Sequence, residues 1–203
     1  MRRDPTKGHY DREQIAATLD RSLFGHVAFV DDGQPVCIPM LCARIGTRLY
    51  IHGSRASRAM RLLARGEPAC VAVTVLDGLV LARSVFEHSA NYESVVAFGR
   101  FHEVTGEDER LAALEAFTEK LLPGRWSEAR QPNAKEMKAT TVLALEIDEA
   151  SAKVRTGGPD DDDTADAELD IWAGEIPIHH AFGTPIPSPG LGPGIDERKR
   201  PDR

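Results

Sequence analysis

From residue 25 to residue 104 the chain passes through short apolar stretches broken by turn residues. They read "GHVAFV" (25–30), "VCIPMLCAR" (36–44), "RLYIHG" (48–53), "ACVAVTVLDG" (69–78), "LVLARSVF" (79–86) and "YESVVAFGRFHEV" (92–104). Runs this short, punctuated by "DDGQP", "IGT" and Asp77-Gly78, are the mark of antiparallel hairpins. Asp77-Gly78 is expected to turn the chain between two strands. "TTVLALEID" (140–148) and "ASAKVR" (150–155) return to strand later. No strand–helix–strand alternation runs through the chain, which points away from a parallel sheet. The pattern predicts a mostly β fold with peripheral helices, an antiparallel barrel of six to seven strands.

Pro39 sharpens this expectation. A proline cannot donate to a β ladder, so its strand belongs at an edge, a bulge or a rim. Three helices are expected between the strand groups. The first covers 11–24, with Asp11 as N-cap and Gln14 closing a capping box. The second covers 55–65, with Met60 and Leu63 on one face. The third follows Thr105 as its cap, with Leu111, Leu114, Phe117 and Leu121 at helical spacing.

The composition changes after Arg155. Residues 1–156 read as the barrel domain and 157–203 as an extension, acidic at first and then rich in Pro and Gly. The acidic run is expected to be a solvated loop, the Pro/Gly part to wrap the surface, and the last residues to be disordered.

Bulk properties exclude several classes. No stretch approaches the roughly eighteen apolar residues needed to span a bilayer. The charged start carries no apolar run behind it, which makes a cytoplasmic protein the expectation. A formal net charge of -7 argues against non-specific nucleic-acid binding. Cys37, Cys42 and Cys70 include no C-x-x-C, and each reads as a buried small hydrophobe. The run Asp160–Asp163 lacks the Gly and Glu of a calcium loop. His179-His180 has no third ligand near it, so no metal site is expected.

One stretch carries chemistry: "LYIHGSRASRAMRLLARG" (49–66). A strand ends at a Gly-Ser turn and a basic helix begins. Serine hydroxyls, helix N–H groups and arginines at such a junction suit a phosphate monoester. The same residues also suit an ordinary exposed helix with a serine cap. "FEHSANYESVV" (86–96) is a second polar cluster, readable as a polar turn.

"QPVCIPML", "RLYIHGSRASRAMRLL", "DGLVLARSVFEHSANYESVVAFGR", "MKATTVLALEIDEASAKVRTG" and "WAGEIPI" occur in this order. Together they resemble the flavin-nucleotide-binding branch of the pyridoxamine 5′-phosphate oxidase-like superfamily, near the 5-nitroimidazole resistance proteins. The resemblance implies an FMN-binding split β-barrel, a homodimer with flavin at the subunit interface. It implies that Pro39 and Met40 run along the isoalloxazine. It places the FMN phosphate at His52, Gly53, Ser54, Ser57 and Arg58, with His52 matching the active-site histidine of the nitroimidazole-resistance proteins. It brings Tyr92, Ser94 and Val95 to the flavin across the interface, Lys138 and Arg155 near the cofactor, and Trp172 to its edge as an aromatic lid. Arg55, Arg61 and Arg65 fall to a solvated helix face. Glu93 departs from the pattern, since relatives commonly carry Arg there. The function implied is an FMN-dependent oxidoreductase taking electrons from NADH or NADPH to a small nitroaromatic- or quinone-like acceptor. A non-catalytic flavin sensor or store, or the same barrel around a deazaflavin or haem, remains open beside it.

Overall fold

The structure, a computed structural model, describes residues 8–161 and 164–190. The far C-terminus expected to be disordered lies outside the described residues. Eleven strands are described: β1 (Gly8–His9), β2 (Phe24–Asp31), β3 (Gln34–Leu41), β4 (Ala43–Ile45), β5 (Arg48–Ser54), β6 (Pro68–Leu81), β7 (Ser89–Arg100), β8 (His102–Glu103), β9 (Thr140–Glu146), β10 (Glu149–Arg155) and β11 (Gly174–Pro177). The helices are α1 (Arg12–Arg21), α2 (Arg58–Leu63), α3 (Glu107–Leu121), α4 (Arg125–Glu128) and α5 (Ala134–Ala139).

All strand pairs are antiparallel. A large sheet runs β1-β10-β7-β6-β2-β3, with β11 added against β6, and a small sheet runs β4-β5-β9-β8. This is the expected mostly β, antiparallel architecture, a split barrel whose sheets do not close on each other. Two expected strands divide to make the split. The run 36–44 breaks at Cys42 and the run 92–104 at Phe101, and there the chain leaves the large sheet for the small one. Both corner residues are buried, which secures the crossings with packing rather than ladder hydrogen bonds.

The turn dipeptides behave differently from each other. Asp32 and Gly33 both have positive φ, 51° and 79°, the backbone of a type I′ hairpin between β2 and β3. Asp77-Gly78 makes no hairpin. It lies inside the continuous β6, where the register with β7 shifts between Leu76 and Gly78. Glycine is required there for space: a Cβ would sit 3.1 Å from the Ile176 carbonyl oxygen of β11. Asp77 instead accepts from the Arg21 guanidinium at 2.6 Å.

Pro39 lies on β3, the edge strand of the large sheet, as a residue without a ladder donor requires. Two apolar clusters hold the fold. The first fills the barrel with Leu19, Val27, Ile51, Met60, Val71 and Leu143 among others. The second lies between the small sheet and α3, with Tyr50, Ala113, Phe117 and Val142. Burying each large side chain contributes roughly 1.5–3 kcal/mol. Asp11 caps α1 as expected, but α3 starts from Gly106 with no side-chain cap, so Thr105 does not serve. Among the described residues no helix is long and apolar enough to cross a membrane.

The acidic segment after Arg155 is not simply solvated. Asp161 is completely buried and accepts from the Arg83 backbone N–H at 2.6 Å and from its guanidinium at 2.9 Å. A buried carboxylate needs such partners. Beyond it, Glu175 of β11 accepts from the Asn91 amide at 2.6 Å. The extension is thereby fastened to β6 and β7.

Candidate functional site

The strand-to-helix junction keeps its polar character in three dimensions. β5 ends at Ser54, opposite Thr140 of β9. The Ser54 Oγ accepts from the Ala56 N–H at 3.2 Å, and the Ser57 Oγ, the N-cap of α2, accepts from the Met60 N–H at 3.5 Å. Each hydroxyl has used a lone pair on the backbone, so each keeps its proton to donate outward. Gly53 is needed for packing: a Cβ there would lie 2.9 Å from the Met60 side chain.

The helix itself is shorter than expected, six residues from Arg58. Its dipole is correspondingly small, and the charge at the junction comes from side chains. The Arg58 side chain is 72% exposed and pairs with Asp31 at 2.7 Å. Arg55 does not lie on a helix face. It sits in the turn, where its N–H donates to the Ala139 carbonyl at 2.9 Å. That bond joins the junction to α5, a helix missed in the sequence. The signal was legible: Asn133 and Glu136 form a reciprocal capping box at its start.

A cavity of about 380 Å³ opens between these elements, lined by Arg55, Thr105, Glu107, Arg110, Met137 and Lys138. Lys138 is thus brought beside the junction. Arg110 is anchored by donation to the Met137 and Thr140 carbonyls. Arg55, Thr105 and Arg110 were missed as site candidates because the cavity is lined from three segments far apart in the chain. A second cavity, beside Tyr10 and Arg12, holds only about 100 Å³.

His52 faces the other way from Gly53, under α3. Its ring lies 4.4 Å from that of Phe117, tilted by 60°. Its Nδ1 is buried with no hydrogen-bond partner. Burial pushes its pKa below the ordinary histidine value and favours the neutral ring. A neutral imidazole with a bare nitrogen can accept a proton or a donor bond.

The remaining candidates separate. Pro39 is exposed on the edge strand, and Met40 is half-buried against the barrel core. Tyr92 and Ser94 stand on one face of β7, Tyr92 with the Lys153 ammonium 5.3 Å from its ring centre. Val95 is fully buried and points its side chain into the core. Arg155 is buried and donates to Asn91 Oδ1 at 2.6 Å and to the Gly157 and Gly158 carbonyls at 3.0 Å each, which makes it an anchor for the extension. Trp172 is exposed beside β11. Glu93 turns toward α1, accepting from Arg21 at 2.6 Å and from the Thr18 hydroxyl at 2.9 Å. The carboxylate at this position therefore has its own cation. Cys37 is exposed and Cys70 half-buried, while Cys42 alone is buried, because strands with one open face place alternate residues outward. Among the described residues no three His, Cys, Asp or Glu side chains group as metal ligands would.

A family model described as pyridoxamine 5′-phosphate oxidase matches residues 11–154. The FAD and heme binding protein from Mycobacterium smegmatis is 41% identical, with a TM-score of 0.88 over 94% of this chain and 93% of that one. The flavocytochrome Anf3 from Azotobacter vinelandii is 38% identical, with a TM-score of 0.89 over 97% and 91%. A protein described as a 5-nitroimidazole antibiotic resistance protein from Bacteroides thetaiotaomicron shares the fold at 18% identity, with a TM-score of 0.62 over 72% and 86%. No curated protein sequence matches the chain.

Proposed function

Given that the chain belongs to the pyridoxamine 5′-phosphate oxidase family, we propose that it is a flavin-binding redox protein. It takes electrons from NADH or NADPH and passes them to a small nitroaromatic- or quinone-like acceptor. The observation that carries this reading is similarity along nearly the whole chain, extension included, to two proteins described as a flavin-and-heme binder and a flavocytochrome. The residues present fit a flavin phosphate. Ser54 and Ser57 hold hydroxyl protons ready to donate, and Arg58 and Lys138 supply charge. When bound, the flavin supplies hydride and single-electron transfer. The chain orients it and manages protons, and His52, neutral with a bare Nδ1, is the candidate proton carrier.

A homodimer belongs to the same proposal. The outer face of the large sheet carries Ala28, Cys70, Ala72, Val96 and Phe98 side by side through their register, with Phe98 48% exposed. An apolar sheet face of this kind is suited to a second copy.

Haem is a second reading, favoured by the descriptions of the same two relatives. His26 supplies the required donor: it is exposed on that outer face, opposite Pro39 and Ala72. The spectrum of the purified protein tests both cofactors, with flavin bands expected and a Soret band if haem is held. Anaerobic NADH or NADPH should bleach the flavin bands quickly. A coloured protein that neither donor bleaches would be a binder or store, and a protein that takes up no flavin at all would end the proposal.

A further inference from the structure

The cavity beside the junction differs from its surroundings in charge. The chain as a whole is acidic, at -7, yet Arg55, Arg110 and Lys138 converge there against the single carboxylate of Glu107. The other acids of the first turn of α3 do not all compete. Glu109 is occupied, accepting from Arg48 at 2.9 Å and from the Tyr50 hydroxyl at 2.8 Å.

The three cations are differently held. Arg110 is fixed by the two carbonyls it donates to. Arg55 is 65% exposed and only loosely paired, with Glu103 at 3.9 Å. Lys138 has no ion-pair partner among the described residues. Two adaptable cations beside one fixed guanidinium suit a ligand with more than one phosphate, since the charges have no carboxylate partners sufficient to neutralise them.

The rest of the lining matches what hangs from such a diphosphate. Met137 offers a polarizable apolar surface for a purine face. Thr105 and Glu107 offer acceptors for ribose hydroxyls or an exocyclic amine. The volume, about 380 Å³, lies at the lower end of ligand pockets, which run from roughly 300 to 1,000 Å³. It therefore fits one end of a dinucleotide rather than the whole. The bond from the Arg55 N–H to the Ala139 carbonyl sets this cavity directly against the Ser54–Arg58 turn.

We infer that the cavity lined by Arg55, Thr105, Glu107, Arg110, Met137 and Lys138 is a binding site for the adenosine-diphosphate end of a dinucleotide. The inference rests on the flavin reading for its neighbour, the phosphate turn, and goes beyond it by assigning a second subsite. FAD and NADH or NADPH share this group, and the test separates them.

Apoprotein is titrated with FAD, FMN, NADH and free ADP by flavin-fluorescence quenching and calorimetry. The wild-type protein should bind FAD about tenfold or more tighter than FMN, the effect of one or two charge-assisted hydrogen bonds. ADP should compete with FAD. The variant Arg55→Ala, which leaves Lys138 and the phosphate turn intact, should lose most of that advantage while its FMN affinity stays unchanged. If NADH rather than FAD loses affinity in the variant and ADP competes with NADH, the site stands and its dinucleotide is the electron donor. Arg61→Ala removes the same kind of charge outside the cavity and should change no ratio. Equal FAD and FMN affinity in the wild type, with no NADH effect in the variant, overturns the inference. So does a variant that weakens FMN as much as FAD. Failure of the flavin reading itself is distinct: FMN would then not bind at all.

Discussion

Glu93 offers the sharpest test of what holds α1 to the large sheet. Its carboxylate holds the Arg21 guanidinium at 2.6 Å and the hydroxyl of fully buried Thr18 at 2.9 Å. Glu93→Ala removes both. Losing the acceptor for a buried hydroxyl costs about 1–2 kcal/mol. The Arg21 pair adds less, about 0.5–1 kcal/mol, because the Arg21 side chain is 44% exposed and solvent screens it. Together these amount to about 1.5–3 kcal/mol, a fall in Tm of about 3–12 °C for a chain of this size. Glu93→Gln keeps an oxygen for Thr18 and should cost least. Glu93→Arg sets a second cation against Arg21 and should cost most. Differential scanning calorimetry gives the order directly. A Glu93→Arg protein as stable as wild type, or a Glu93→Gln protein as unstable as Glu93→Ala, would refute the reasoning. A double-mutant cycle with Arg21→Ala isolates the pair, and a coupling near zero would remove the electrostatic part. Flavin occupancy should not change in Glu93→Ala, because the carboxylate serves α1 and not the Ser54–Arg58 turn.

Arg58→Ala should weaken flavin retention about tenfold, whereas Asp31→Asn should tighten it by releasing the guanidinium from its partner; unchanged occupancy in both variants would remove Arg58 from the site. His52 should titrate below the ordinary histidine range, read by NMR. Because its folded pKa is depressed, the unfolded chain binds more protons, so stability should be lost as pH falls below about 6.5; this part of the pH dependence should vanish in His52→Phe. Iodoacetamide should label exposed Cys37 in the native protein well before Cys42, whose thiol burial pushes up to about 11. Equal labelling rates would contradict the described burial.

The sequence was most legible where local chemistry and tertiary environment agree. Pro39 announced an edge strand because a missing N–H is costly in any sheet interior. Asp11 announced a helix start because the cap bond is made within three residues. The Asp77-Gly78 turn was misread because the same dipeptide also answers a different need. Gly78 lets β11 approach closely, and that demand comes from a strand about a hundred residues later. The long strand runs ending at Arg44 and Val104 gave no sign of breaking at Cys42 and Phe101. A change of sheet is set by the partner strands, not by the run itself.

Composition, periodicity and turn chemistry by themselves determined an antiparallel β fold and a polar strand-to-helix junction, since those follow from backbone hydrogen bonding over a few residues. The tertiary structure decided the rest. It turned the acidic segment inward at Asp161, assigned Glu93 to α1, and put His52 under Phe117. It also joined Arg55, Arg110 and Lys138 around one cavity. Charges so far apart in the chain act on one ligand only when packing brings them together, and no local pattern records that distance.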